Sequence, residues 1–153
     1  MNAKQKLIIE QVDNKLLEFK PVQNSVIPPK GWIYAVRTAL KMSMRQLGNK
    51  LNITAQSVKE IEEREENSSI TIRALREAGA ALGMKLVYGF VPQNEKIEKI
   101  IEKRAMELAK EIVLRTSQSM KLEDQENKQE RLEKSISDKA NEIKDKMPKY
   151  LWD

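Results

Sequence analysis

The stretch MSMRQLGNKLNITAQSVKEIEEREE, residues 42–66, decides how this chain is read. Ser43 precedes an apolar-periodic run with Gln46 three residues on. That is the spacing of a capping box, in which each side chain satisfies a main-chain N–H of the other's end of the turn. Leu47 and Leu51 then lie one turn apart on one face. Asn52 and Ile53 make a turn, because asparagine tolerates the left-handed conformation that ends helices. Thr54 caps a second helix whose apolar face is Val58 and Ile61, and Gly48 permits the two helices to approach closely. Two short helices joined by three or four residues follow the helix-turn-helix plan. The first crosses a phosphate backbone, and the second, thin and polar outside, enters the major groove. The same pattern also suits a small helical bundle with no role in nucleic-acid binding.

Upstream, Trp32, Ile33, Val36 and Leu40 form the expected inward face of a preceding helix. Downstream, Thr71 caps a helix with Ile72, Leu75, Ala78 and Leu82 as its core face, ended by Gly83. Residues 85–91, KLVYGFV, are β-branched, aromatic and bounded by Gly83 and Pro92, which reads as a strand. A lone strand leaves its edges unpaired. The expectation is therefore a two-stranded sheet between two copies of the chain, built on Leu86, Val87, Tyr88, Phe90 and Val91, with a local strand around Val22–Ile27 as the alternative partner.

At the N-terminus, Leu7, Ile8, Val12, Leu16 and Phe19 recur at helical spacing, and residues 21–30 carry three prolines and read as a linker. Beyond residue 93 two helical stripes follow: Ile97, Ile101, Ala105, Leu108, Ile112 and Met120, then Leu132, Ile136, Ala140, Ile143 and Met147. They suit an antiparallel hairpin, a partner subunit or another protein. The chain is thus expected to be mainly α. The divisions are 1–30, an N-terminal helix and Pro-containing linker; 31–84, a helix-turn-helix domain; 85–92, a dimerisation strand; and 93–153, a C-terminal helical arm.

Composition narrows the chemistry. The 153 residues include no His and no Cys, which removes disulfides, thiolate metal sites, Cys nucleophiles and the commonest general base. No nucleophile–base pair, phosphate-binding glycine loop or metal cluster stands out, so neither an enzyme nor a cofactor is expected. No apolar run reaches the roughly 18–20 residues of a bilayer span, and the N-terminus lacks a signal-peptide pattern. A cytoplasmic protein, on the nucleoid when DNA-bound, is expected. The net charge of +5 is uneven: residues 1–30 carry five Lys against three acids, residues 31–92 nine Lys and Arg against six, and residues 93–153 fourteen of each sign. A basic first ninety residues fits nucleic-acid contact.

SMRQLGNKLNITAQSVKEIEERE followed by ITIRALREAGAALG resembles the phage-repressor (Xre/Cro-type) family over about residues 33–83. Met44 departs from a family position that often holds Gln, and Asn52 from one that often holds Gly. PPKGWIYAVRTALKMS, ALGMKLVYGFVP, SMKLEDQ and the ending YLWD are in turn similar to the mobile mystery protein A family over nearly the full length. That family is a predicted antitoxin-like regulator encoded beside a Fic-domain protein, mobile mystery protein B.

The repressor-like arrangement implies that Ala55, Gln56, Lys59 and Glu60 face bases. Gln56 could bond adenine N6 and N7, Ala55 offers a methyl to thymine, and Lys59 could reach guanine or a phosphate. Glu60 could accept from cytosine N4 or pair with Arg64 four residues on. Thr54, Ser57 and Arg45, with Arg64 and Asn67, are the phosphate candidates. The acids of residues 62–66 count against tight binding; Glu62 matches a family position that is usually structural, and the others are expected to point away from DNA.

The narrower resemblance implies a Fic-type toxin as partner. Ser119 and Glu123 are similar to an inhibitory helix of pattern Ser/Thr-x-x-x-Glu-Gly/Asn, whose Glu occupies an Arg of the nucleotide site; Asp124 departs from it. The expected function is a dimeric, sequence-specific DNA-binding repressor and antitoxin of a Fic-type module. The alternatives are a mobile-element transcription regulator with no toxin contact, or an interaction scaffold that has lost DNA binding.

Overall fold

The computed structural model describes residues 1–93, 96–117 and 125–153. Its described helices are α1 Ala3–Leu17, α2 Trp32–Ala39, α3 Met44–Leu51, α4 Ala55–Glu66, α5 Ile72–Ala81, α6 Ile97–Ser117 and α7 Gln125–Lys146. Short 3-10 turns cover Lys20–Val22 and Lys149–Trp152. The chain divides into two units, residues 22–89 and residues 1–21 with 90–153. Among the described residues no helix is long and apolar enough to cross a membrane.

In the first unit, the start of each of α3, α4 and α5 is set by its own side chain. The Ser43 hydroxyl accepts from the Gln46 N–H at 3.0 Å while the Ser43 N–H donates to Gln46 Oε1 at 2.8 Å, completing the capping box. Thr54 and Thr71 accept from the N–H groups of Ser57 and Ala74, each at 3.0 Å. The turn after α3 is as the sequence dictates, with Asn52 left-handed at φ 57° and ψ 40°. These ends aim four helices at one core of Ile33, Leu47, Val58, Ala78 and Leu82. Val36, Met42, Met44, Leu51, Ile53, Ile61, Ile70 and Leu75 pack around it.

The inward faces differ in detail from expectation. Trp32, Leu40 and Ile72 are about half exposed. Trp32 and Ile72 are the first residues of their helices, and Leu40 is the C-cap of α2, where the chain turns into left-handed Lys41. The inward side of α2 is instead Ile33, Val36 and Arg37. Arg37 is buried with Glu62: its Nη2 lies 2.7 Å from Glu62 Oε1, its Nε donates to the same oxygen at 2.9 Å, and its Nη1 donates to the Met42 carbonyl at 2.9 Å. Glu65, one turn further along α4, accepts the N–H groups of Trp32 and Ile33 at 2.8 Å each. Gly31 offers no side-chain cap, so a distant carboxylate serves the start of α2.

The expected strand is absent. Among the described residues there is no β-strand, and residues 85–91 form no main-chain hydrogen bond. A ladder needs a second edge, and the alternative partner around Val22–Ile27 is exposed and turned on itself, with the Ser25 N–H donating to the Val22 carbonyl at 3.0 Å. Val87, Tyr88 and Phe90 are well exposed, with Leu86 and Val91 half-buried.

In the second unit α6 and α7 pack as an antiparallel hairpin: Lys144, near the end of α7, lies 3.0 Å from Glu98 and 2.7 Å from Glu102, near the start of α6. Its core is Ile101, Ala105, Ala109, Ala140, Ile143 and Leu151. Both predicted stripes supply that core, except Leu132, which is half-buried apart from it, and Met120, which lies outside the described residues. Leu151 is fully buried, and Arg104 fastens its segment by donating to the Leu151 and Asp153 carbonyls at 2.6 Å each. Helix α1 joins through Ile9; of the predicted stripe, Leu7, Ile8 and Val12 are exposed, while Leu16 and Phe19 are half-buried. Its Asp13 accepts the Ile97 N–H at 2.9 Å and so serves the start of α6.

The Lys144 and Lys99 ammonium groups hold the Glu102 carboxyl down at about 2. A carboxylate with a depressed folded pKa stabilises above its unfolded value and loses that contribution as pH falls through the folded one. Acid titration is therefore expected to loosen the α6–α7 hairpin between about pH 4.5 and 2. Glu102→Gln should flatten that part of the profile, read by α6 and α7 amide exchange against pH. An unchanged profile would show that other carboxylates set it.

Candidate nucleic-acid interface

Helix α4 has two chemically distinct sides. Val58, Ile61, Glu62 and Glu65 face inward, and every polar group among them is engaged. Ala55, Gln56, Lys59, Glu60, Glu63 and Arg64 are exposed. Among the described residues the side chains of Gln56, Lys59, Glu60, Glu63 and Arg64 make no hydrogen bond or ion pair. The anticipated Glu60–Arg64 pair is thus not formed, and the outward side of the helix is uncovered.

The phosphate candidates fall into two groups. Arg45 is exposed in the first turn of α3 and unpaired. Thr54 and Ser57 are bonded to each other: the Thr54 hydroxyl accepts the Ser57 N–H and donates to Ser57 Oγ at 3.0 Å. That leaves the Ser57 hydroxyl proton available to an outside acceptor. Asn67 is the C-cap of α4, and its Oδ1 is occupied by the N–H of Ser69 at 3.0 Å and by the Ser69 hydroxyl. Its carbonyl oxygen therefore shapes the turn to α5, with Ser68 left-handed at φ 64°. Met44 packs against the core, so the departure from Gln at that position serves packing.

Electrostatics favour an anionic ligand more than residues 62–66 suggest. Residues 22–89 hold ten Lys and Arg against six acids. Glu62 is spent on Arg37, Glu65 on the start of α2, and Glu77 on Arg73 at 3.3 Å. Lys30 lies over the Tyr34 ring at 4.7 Å. Lys41, Arg45, Lys50, Lys59, Arg64, Arg76 and Lys85 remain exposed without an acidic partner among the described residues. Only Glu60, Glu63 and Glu66 oppose them as free carboxylates.

Glu63 does not point away from the face that carries Gln56: it lies two helical turns along the same exposed side. The seven-residue spacing from Gln56 was the available signal. Arg37, unremarked in the sequence, was legible as a charge on the Ile33–Val36 stripe. Ser119 and Glu123 lie outside the described residues. Compared with known proteins, the chain matches no family model, no curated protein and no solved structure.

Proposed function

We propose that the protein is a sequence-specific DNA-binding repressor, with α3 and α4 as its helix-turn-helix and α4 as the reading helix. The observation that carries this reading is the two-sidedness of α4: inward polar groups are all satisfied, whereas the outward ones are all exposed and free. Free donors and acceptors on a thin helix flanked by unpaired cations are what base edges between two phosphate walls require. Gln56, Ala55 and Glu60 are the base-facing residues; Lys59 stands at their flank, within reach of guanine or a phosphate; Arg45, Thr54, Ser57 and Arg64 hold phosphates, and Asn67 sets the following turn.

A second copy is the proposed partner of residues 85–91, whose unpaired main chain and exposed Val87, Tyr88 and Phe90 need an edge that one chain lacks. A two-fold pair suits palindromic half-sites about one DNA turn apart; a monomeric mass in light scattering at micromolar concentration removes it. The antitoxin role, with a Fic-type toxin held by the C-terminal helices, rests on the mobile mystery protein A resemblance alone. Copurification of the coexpressed neighbouring gene product tests it.

The decisive experiment for DNA binding is an anisotropy titration of the protein on its own upstream DNA and on random duplex at several salt concentrations. Gln56→Ala should weaken the specific duplex by about 1–3 kcal/mol and leave the random one nearly unchanged. Arg45→Ala should weaken both alike and lower the salt slope by about one phosphate contact. Equal losses for both substitutions on both duplexes would remove the assignment of roles.

A further inference from the structure

At about 100° per residue, Gln56, Glu60 and Glu63 fall within about 60° of one another on the outward side of α4. Lys59 stands roughly 60° to one side of Gln56 and Arg64 roughly 80° to the other. All five are exposed, and none has a partner among the described residues. Glu60 stays free although Arg64 is one turn away. The side therefore has a spine of acceptors edged by a cation on each flank.

Resting on the DNA-binding reading, we propose that this spine selects half-sites whose major-groove edges present exocyclic amino groups, cytosine N4 and adenine N6, opposite Gln56, Glu60 and Glu63. Lys59 and Arg64 then meet the phosphates of the two groove walls. An ionised carboxylate only accepts hydrogen bonds. It gains from an amino group at the groove floor and is repelled by the acceptors of guanine and thymine. Gln56 suits the same edges because its amide bonds adenine N6 and N7 together. At about 1.5 Å rise per residue, Glu60 and Glu63 lie roughly 6 and 10.5 Å along the helix from Gln56. With base steps of about 3.4 Å, the spine covers roughly two to three steps of one half-site.

The carboxylates also act by exclusion. They weaken contact with any duplex, since nearby phosphates repel them, and only amino-bearing edges compensate. Specificity therefore rises while general affinity falls. Glu62 and Glu65 take no part, because Arg37 and the start of α2 hold them inward.

The test is in vitro selection of duplexes by the full-length protein, followed by anisotropy on the selected site and on sites with single inverted base pairs. Selected half-sites should carry C or A on one and the same strand, the one facing the spine, at the positions opposite Gln56, Glu60 and Glu63, and inverting a C·G pair opposite Glu60 or Glu63, which moves the amino group to the other strand, should cost about tenfold. Glu60→Gln and Glu63→Gln each keep an acceptor and add a donor, so each should shrink that penalty to about twofold and raise affinity for random duplex. Both positions are exposed and unpartnered, so folding is not expected to change. Selected sites with G or T at those positions of that strand, or penalties unchanged in both variants, would overturn the amino-edge assignment while leaving DNA binding intact. Failure to select any duplex at low salt would instead defeat the DNA-binding reading, and this assignment with it.

Discussion

Glu62→Ala is expected to destabilise residues 22–89 by about 3–5 kcal/mol, the cost of leaving a buried charge without its partner. Arg37 is 7 % exposed and Glu62 5 %, so neither side chain can recover its loss by turning to water. Arg37→Ala should cost less in charge but more in geometry, because its Nη1 also holds the Met42 carbonyl just before the α3 cap. Replacing both partners by apolar residues of similar volume, Arg37→Met with Glu62→Leu, should recover most of the stability. Urea unfolding followed by amide exchange in α2 and α4 gives the comparison. A loss below about 1 kcal/mol for Glu62→Ala would mean that the pair is solvated in solution and the burial argument fails.

That pair also shows how far the sequence could be read. Helix starts were legible because Ser43, Thr54 and Thr71 act on groups three residues away, within the reach of local pattern. The left-handed Asn52 and the two hairpin stripes were legible for the same reason. The roles of Glu62 and Glu65 were set by residues 25 and more than 30 positions away, so a run of five charged residues looked like a single acidic patch. Packing splits that run into a core ion pair at Glu62, a helix cap at Glu65, two free carboxylates at Glu63 and Glu66, and a free Arg64. Helix α1 failed similarly. Its apolar residues surround more than one side of the helix, and the choice of Ile9 over Leu7 and Ile8 depends on α6 and α7. The segment 85–91 has strand composition, yet composition cannot supply the second edge that makes a ladder.

The second large effect is expected at Gly48, where two physical tendencies oppose each other. Gly48 is helical, so alanine should gain about 1 kcal/mol from helix propensity. A Cβ there, however, would lie 2.6 Å from the Ile53 carbonyl oxygen and 3.3 Å from the Thr54 carbonyl. Both neighbours are main chain in the turn that aims α4, and cannot move aside without moving the helix. The clash should win, with a net loss of about 1–3 kcal/mol. Gly79 is the internal control. It too is helical, but its added Cβ would meet only the Met84 carbonyl at 3.7 Å, an ordinary contact. Gly79→Ala should therefore be neutral or stabilising by up to about 1 kcal/mol. If the angle between α3 and α4 matters for groove entry, Gly48→Ala should also weaken the selected operator more than random duplex, because base contacts depend on aim and phosphate contacts much less. Equal melting temperatures for the two glycine variants would show that the turn yields freely. The tight approach that presents Gln56, Glu60 and Glu63 would then be incidental to the fold.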